Sequence, residues 1–304
     1  MTNPNTKFAS RSIKVKVNNR QNEKSGFTIV ELLTVMSIII LLIGLLVPAL
    51  NRVRRYALRV KQKAQFHSIS IALDMFNAEY EGYPDSNERD DLGQPYCGAM
   101  KLCEAMVGQD LKGFHPKSRF RVSGFLRPNV DGTTLYPATA DWPTSADYIK
   151  NVRSRKMYLQ LENANAFQLD SIYDVNSMPS ELPKYKPYTF VLCDVYNRVT
   201  NRHTGRKMGM PILYYKADST KTQHKYYANP PEQQDKNIYD TRDNQGLVDL
   251  GLPWISGPMH PMAWGGFTTT GALATPQVFY DETVNPNIPG GKWPYRNDSY
   301  ILFS

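Results

Sequence analysis

Side chains able to do chemistry are present in this sequence, but they do not converge. The five histidines (His67, His115, His203, His224 and His260) stand at no metal-ligating spacing from one another or from a cysteine. No HExxH, GxSxG, Walker or Rossmann glycine pattern occurs. The acid pairs Asp90-Asp91 and Asp281-Glu282 have no base, nucleophile or phosphate-binding element beside them and read as loop charges. Three cysteines in 304 residues exclude a disulfide scaffold, and Cys193, in an apolar run, is expected to be a buried thiol. The carboxylate that stands out is Glu31. It sits at the head of nineteen residues, Leu32 to Leu50, in which only Thr34 and Ser37 are polar.

At 1.5 Å per residue that run makes roughly 28 Å of helix, close to the hydrocarbon thickness of a bilayer. It exceeds an ordinary secretory h-region of about 7–15 residues. A buried core helix rarely runs so far without polar relief, so a membrane span at 32–50 is expected. The formal charge of +8 maps to the same region. Residues 1–26 carry six basic side chains (Lys7, Arg11, Lys14, Lys16, Arg20, Lys24) against one acid, and residues 27–80 carry six against three. Residues 81–304 carry 24 of each sign, so nucleic acid is not an expected partner of that part. A local cluster at Arg198, Arg202, Arg206 and Lys207 survives the balance. A carboxylate at the edge of a span is costly to bury, and Glu31 calls for a cation.

The stretch Gly26-Phe27-Thr28-Ile29-Val30-Glu31-Leu32-Leu33 resembles the processing site of type IV prepilins and type II secretion pseudopilins. The resemblance implies that a membrane prepilin peptidase/methyltransferase cuts between Gly26 and Phe27 and methylates the new Phe27 amine. It also implies that Glu31 pairs with the amine of a neighbouring subunit during filament assembly. The physical alternative is a carboxylate that snorkels to the headgroups. Pro48 marks a kink or break near the outer end of the span, with Gly44 one turn earlier. In the family, a proline there marks the stretch that unwinds on packing; an ordinary kink at a membrane exit is the other possibility.

Beyond Pro48 the helix is expected to resume, with Val53, Ala57, Val60, Ala64, His67, Ile71, Met75 and Ala78 forming one stripe. His67 is expected to be a partly buried packing residue on it. Ile69, Leu73, Phe76 and Tyr80 widen the stripe where a globular domain would cover the helix. Arg52, Arg54, Arg55, Arg59, Lys61 and Lys63 occupy the first turns after the span, facing lipid phosphates or striping a filament surface. Gly82, followed by Pro84, is the expected left-handed stop. Residues 85–180 read as loops and short helices, with one helix from Ser145 to about Met157 and turns near Asn163 and Asn176. Strands are expected at Thr189–Val195, Pro211–Ala217, Gln277–Asp281 and Ser299–Phe303, the first two joined by a polar turn at Asn201–Arg206.

Three further fragments resemble secretion pseudopilins: the helix end Ala72-Leu73 through Tyr83-Pro84, Met210–Ala217, and Trp293–Leu302. The Gly-Pro-Asp-Gly turn that follows the last of these in relatives is not found here. Calcium is bound near that turn in some of them. Asp281, Glu282, Asn285, Asn287 and Asp298 offer oxygen ligands, with Asp281 and Asp298 the weak candidates, but their spacing fits no defined loop and solvated turn residues explain them. No cofactor is otherwise expected. Cys97 and Cys103, six positions apart, are the disulfide candidate in an oxidising periplasm.

The expected fold is α+β: a long N-terminal helix packed by a small antiparallel sheet, a pilin-like roll with long loop insertions. Residues 1–26 would be the basic leader, 27–80 the helix and 81–304 a periplasmic or extracytoplasmic domain. The resemblance implies a non-enzymatic, single-pass inner-membrane protein of a bacterium, its N-terminus cytoplasmic before processing. It would be the subunit of a pseudopilus supporting type II secretion, or of a type IV pilus. Its partners would be the peptidase, identical or related subunits, an inner-membrane assembly platform with a motor ATPase, and lipid. The alternative is a minor pilin serving adhesion, cargo binding or DNA uptake.

Overall fold

The computed structural model describes residues 26–124, 134–136, 146–175, 184–226, 235–250, 260, 277–289 and 292–304. Two compact units divide the chain, residues 1–54 and 55–304, and the first helix, α1 (Ile29–Tyr80), begins in one and ends in the other. The first unit contributes the exposed apolar half of α1, the one helix among the described residues long and apolar enough to cross a membrane. Helical conformation runs unbroken through Pro48, so the break expected there is absent from the single chain. A proline without its N–H forfeits one ladder bond, which the flanking turns tolerate here.

In the second unit α1 presents Gln62, Gln65, Ile69, Ala72, Leu73 and Phe76 to the interior. The two glutamines are buried because their amides dock on backbone. Gln62 Oε1 accepts from the Val195 N–H (3.0 Å), and Gln65 Nε2 donates to the Cys193 carbonyl (2.9 Å) and the Asn163 carbonyl (3.2 Å). These bonds fix the roll of the helix. As a result the stripe Val53, Ala57, Val60, Ala64, His67, Ile71, Met75 and Ala78 is exposed, and His67 does not pack in a core. The late set Ile69, Leu73 and Phe76 is covered by the domain as expected. The helix stops one residue earlier than its glycine: Glu81, not Gly82, takes the left-handed conformation (φ 55°). Phe76 and Tyr80 hold the last turn against Phe114, with ring centroids 5.1 and 5.4 Å away, and the chain must turn at once.

The centre of this unit is α2 (Gly98–Val107), all ten residues of which are buried. One side joins the cluster containing Tyr96, Tyr173, Val191 and Tyr215; the other joins Ile69, Leu73, Phe114 and Tyr214. Gly98 permits the closest approach. A Cβ there would lie 2.3 Å from the Tyr214 carbonyl oxygen. Two charged residues go inside with α2. Lys101 Nζ donates to the Asn87 and Arg89 carbonyls (2.9 and 3.0 Å) and to Asp85 (3.2 Å). Glu104 accepts from the Tyr96 hydroxyl (2.6 Å), Gln109 Nε2 (3.0 Å) and the Ser118 hydroxyl.

The strands are short and pair antiparallel in twos: β1 (Ala166–Gln168) with β2 (Phe190–Leu192), β3 (Val199–Thr200) with β4 (Lys207–Met208), and β5 (Leu213–Lys216) with β6 (Tyr300–Phe303). Register places Phe167 opposite Val191 and Tyr214 opposite Leu302. A bridge between Cys193 and Pro211, with Asp194 N–H to Met210 O and Ile212 N–H to Leu192 O, links β2 to the approach of β5. The expected polar turn at Asn201–Arg206 is the β3–β4 loop, where Asn201 Oδ1 accepts from the N–H groups of His203 and Thr204 and Gly205 supplies a positive φ. Helices α3 (Ala146–Arg153), α4 (Leu161–Ala164) and α5 (Arg242–Asp249) complete the order up to α6 (Gln277–Thr283). The expected helix at 145–157 is α3 cut short; Ser145 lies outside the described residues, as do Asn176 and the leader cations. The expected strand at Gln277–Asp281 is α6 instead. Gln277 Nε2 donates to Asp281 at i+4 (2.8 Å), Thr283 Oγ1 caps back onto Phe279 O, and Phe279 and Tyr280 enter the core together. The class is therefore α+β, and among the described residues the strands pair in twos rather than forming one sheet.

Candidate assembly and processing site

Residues 26–28 precede the helix in non-helical conformation, and Phe27 is 77% exposed. Thr28 then caps α1. Its hydroxyl accepts from the Glu31 N–H (3.2 Å), while Glu31 Oε2 accepts from the Thr28 N–H (2.9 Å) and hydroxyl (2.7 Å). This is a capping box, Thr-x-x-Glu, which satisfies two helix-end donors reciprocally. The sequence carried its signature, Thr28-Ile29-Val30-Glu31 before an apolar run, and functional weight on Glu31 masked it. Both contacts fall on Oε2, so the box leaves Oε1 for another donor. Farther along, Thr34 Oγ1 donates to Glu31 O (2.9 Å) and Ser37 Oγ to Thr34 O (2.8 Å). The two hydroxyls of the apolar run are thus spent on their own helix, which satisfies them without water.

Elsewhere the singled-out residues do not assemble into a site. The Cys97–Cys103 bridge is corrected: all three cysteines are free and buried. Cys97 caps α2 and Cys103 lies in it; six residues of helix rotate side chains by about 240° and separate them by about 9 Å. The two thiols accordingly join opposite clusters, and burial raises the Cys97 thiol to about 11. Asp281 is held by Gln277 and Lys292 (both near 3 Å), and Asp298 is exposed. Among the described residues no group of three or more His, Cys, Asp or Glu side chains could hold a metal ion. His224 and His260 are buried, bonded to Thr283 Oγ1 (2.7 Å) and Pro211 O (3.0 Å), and burial depresses both to about 4. In the basic cluster, Arg202 is committed to Asp174 (3.0 Å) and the Tyr173 carbonyl, and Lys207 to Thr200.

One feature of the second unit was not foreseen: a polar cleft of about 720 Å³ lined by Asp85, Ser86, Lys216, Asp218, Arg242 and Asp243, among others. Most of its carboxylates have a cation: Asp85 has Lys101, Asp218 has Lys221, and Asp235 and Asp240 share Arg242. Asp243, 7% exposed, has the Ser86 hydroxyl. Burial pushes its carboxyl up to about 7, with the neighbouring Asp240 and Asp85 adding to the rise and Lys101 opposing it. Because the folded-state value exceeds the unfolded one, the folded protein binds the extra proton between about pH 4 and 7. Stability from this group is therefore present at low pH and lost as pH rises through that window. Asp243→Asn should be stabilised relative to the parent by about 2–3 kcal/mol more at pH 8 than at pH 5, as measured by urea unfolding; a difference independent of pH would contradict this.

No protein-family model, curated protein or solved structure matches the chain.

Proposed function

We propose that this chain is a prepilin-like subunit, cut after Gly26 by a prepilin peptidase, methylated at Phe27 and polymerised through α1 into a pseudopilus that supports type II secretion or into a type IV pilus. It is a structural component without catalysis. The leader is cytoplasmic before processing and residues 81–304 are extracytoplasmic, the arrangement in which the junction meets the peptidase. The observation carrying the proposal is the uncovered helix face. The domain turns Gln62 and Gln65 inward and leaves Val60, Ile71 and Met75 at helical spacing in the open, on the same helix as the exposed run 29–50. An exposed apolar stripe costs solubility unless another apolar surface covers it, and packing against the same helix of a neighbouring subunit would do so. The junction adds support: the Gly26–Phe27 bond lies ahead of the helix start, in a segment a peptidase can bind extended.

A second reading, a minor pilin that binds cargo or a ligand, is favoured by the polar cleft between Asp85 and Arg242. The two share one deciding measurement. Mass spectrometry of the membrane-extracted protein should find a chain beginning at N-methylated Phe27. A start near Ala49–Asn51 would instead mean a conventional signal peptide, and an intact leader in working fibres would remove the proposal.

A further inference from the structure

Six cations lie in the twelve residues from Arg52 to Lys63, and all are exposed. No acid occurs between Glu31 and Asp74, and among the described residues none of the six has an ion pair, whereas Arg121, Arg155, Arg202 and Arg242 each do. Arg52, Arg55, Arg59 and Lys63 recur at spacings of three and four, where like charges on a helix repel. Among the described residues nothing offsets that repulsion, and an anionic surface outside the chain would supply the compensating charge.

We propose that this band binds the anionic phospholipid headgroups of the leaflet at the outer end of the span. Position selects lipid over an acidic protein. The band opens two residues after Leu50, the last apolar residue of the run. At 1.5 Å per residue Arg52, Arg54 and Arg55 rise about 3–8 Å beyond it, the depth of a headgroup layer roughly 5–8 Å thick. Arg59 lies farther out and returns by its long side chain, and Lys61 and Lys63 act within about one Debye length. Tyr56, 70% exposed in the middle of the band, is an aromatic of the kind enriched at membrane interfaces. Guanidinium groups also suit phosphate better than ammonium does, and four of the six are arginine. The inference rests on insertion of the 32–50 run in a bilayer, and not on filament assembly.

The full chain can report on its own lipid shell. Because Cys97, Cys103 and Cys193 are fully buried, Tyr56→Cys supplies a selectively reactive thiol for a bimane fluorophore. After reconstitution in phosphatidylcholine vesicles, quenching is compared between phosphatidylglycerol and phosphatidylcholine carrying a nitroxide on acyl carbon 5. The anionic quencher should act about 3-fold or more strongly at 0.1 M salt, and the two should converge at 1 M salt. Adding Arg52→Gln, Arg54→Gln, Arg55→Gln and Arg59→Gln should make them converge at both. Equal quenching at low salt overturns the proposal, as does a preference that survives the four substitutions; either result would leave an acidic protein as the partner. A chain that does not float with the vesicles at all defeats the membrane span itself, a separate failure.

Discussion

Glu104→Leu should lower the stability of the 55–304 unit by about 3–5 kcal/mol, because it strands buried donors in an apolar space. Glu104 is 1% exposed and gathers Tyr96 from before α2, Gln109 from just after it and Ser118 from the following loop. Burial raises its carboxyl, and the same hydroxyl and amide donors, with Tyr136, offset only part of that rise. No cation sits in the set, so the ligands of this carboxylate are neutral dipoles, each of which loses its acceptor when leucine replaces it. The Gln109 amide keeps the Arg121 carbonyl (2.7 Å), which limits the loss at that group. Glu104→Gln retains the shape and one acceptor and should cost about 1–2 kcal/mol, one net hydrogen bond or slightly more. Chemical denaturation of the full chain in detergent measures both. A loss below 1 kcal/mol for the leucine variant would show that water, not the carboxylate, had been satisfying those donors.

The second large effect concerns Glu31, where two roles must be separated. The carboxylate closes a capping box with Thr28, and under the proposed function it also meets a neighbour's Phe27 amine. Glu31→Ala removes both. Glu31→Gln preserves the box, since glutamine serves equally at that position, and removes only the charge. If the amine is the partner, both variants should be processed and inserted yet enter filaments at under about a tenth of the parental level, because an unpaired buried charge costs several kcal/mol. Filament incorporation measured beside N-terminal mass spectrometry distinguishes the cases. Normal assembly of the glutamine variant would reduce Glu31 to a helix cap.

What could be read from the sequence followed the strength of local periodicity. The apolar run of α1 and the strands β5 and β6 were visible because their hydrophobic pattern is unbroken. The facing of α1 beyond Pro48 was not, since the residues that dock it are Gln62 and Gln65, whose polarity assigns them to solvent unless their backbone acceptors are known. The same logic hid α2. A helix buried on every side has no polar face to give it a period, and Lys101 and Glu104 interrupt its apolar residues. At α6 the aromatic pair Phe279-Tyr280 suggested a strand, but the i,i+4 bond from Gln277 to Asp281 and the Thr283 back-bond favour a turn of helix. The capping box was legible in four letters. It was passed over because a carboxylate beside an apolar run invites a long-range partner before a local one, and the local bonds to Thr28 occupy only Oε2.

The enclosure of α2 restricts where this molecule can acquire new interactions. With a cluster roofing each side, the helix has no face on which selection can install a recognition residue without opening the interior. Novel specificity must therefore arise away from α2, in the polar cleft, the surface loops and the exposed flank of α1, and the middle of the domain serves as an anchor against which those margins can diversify.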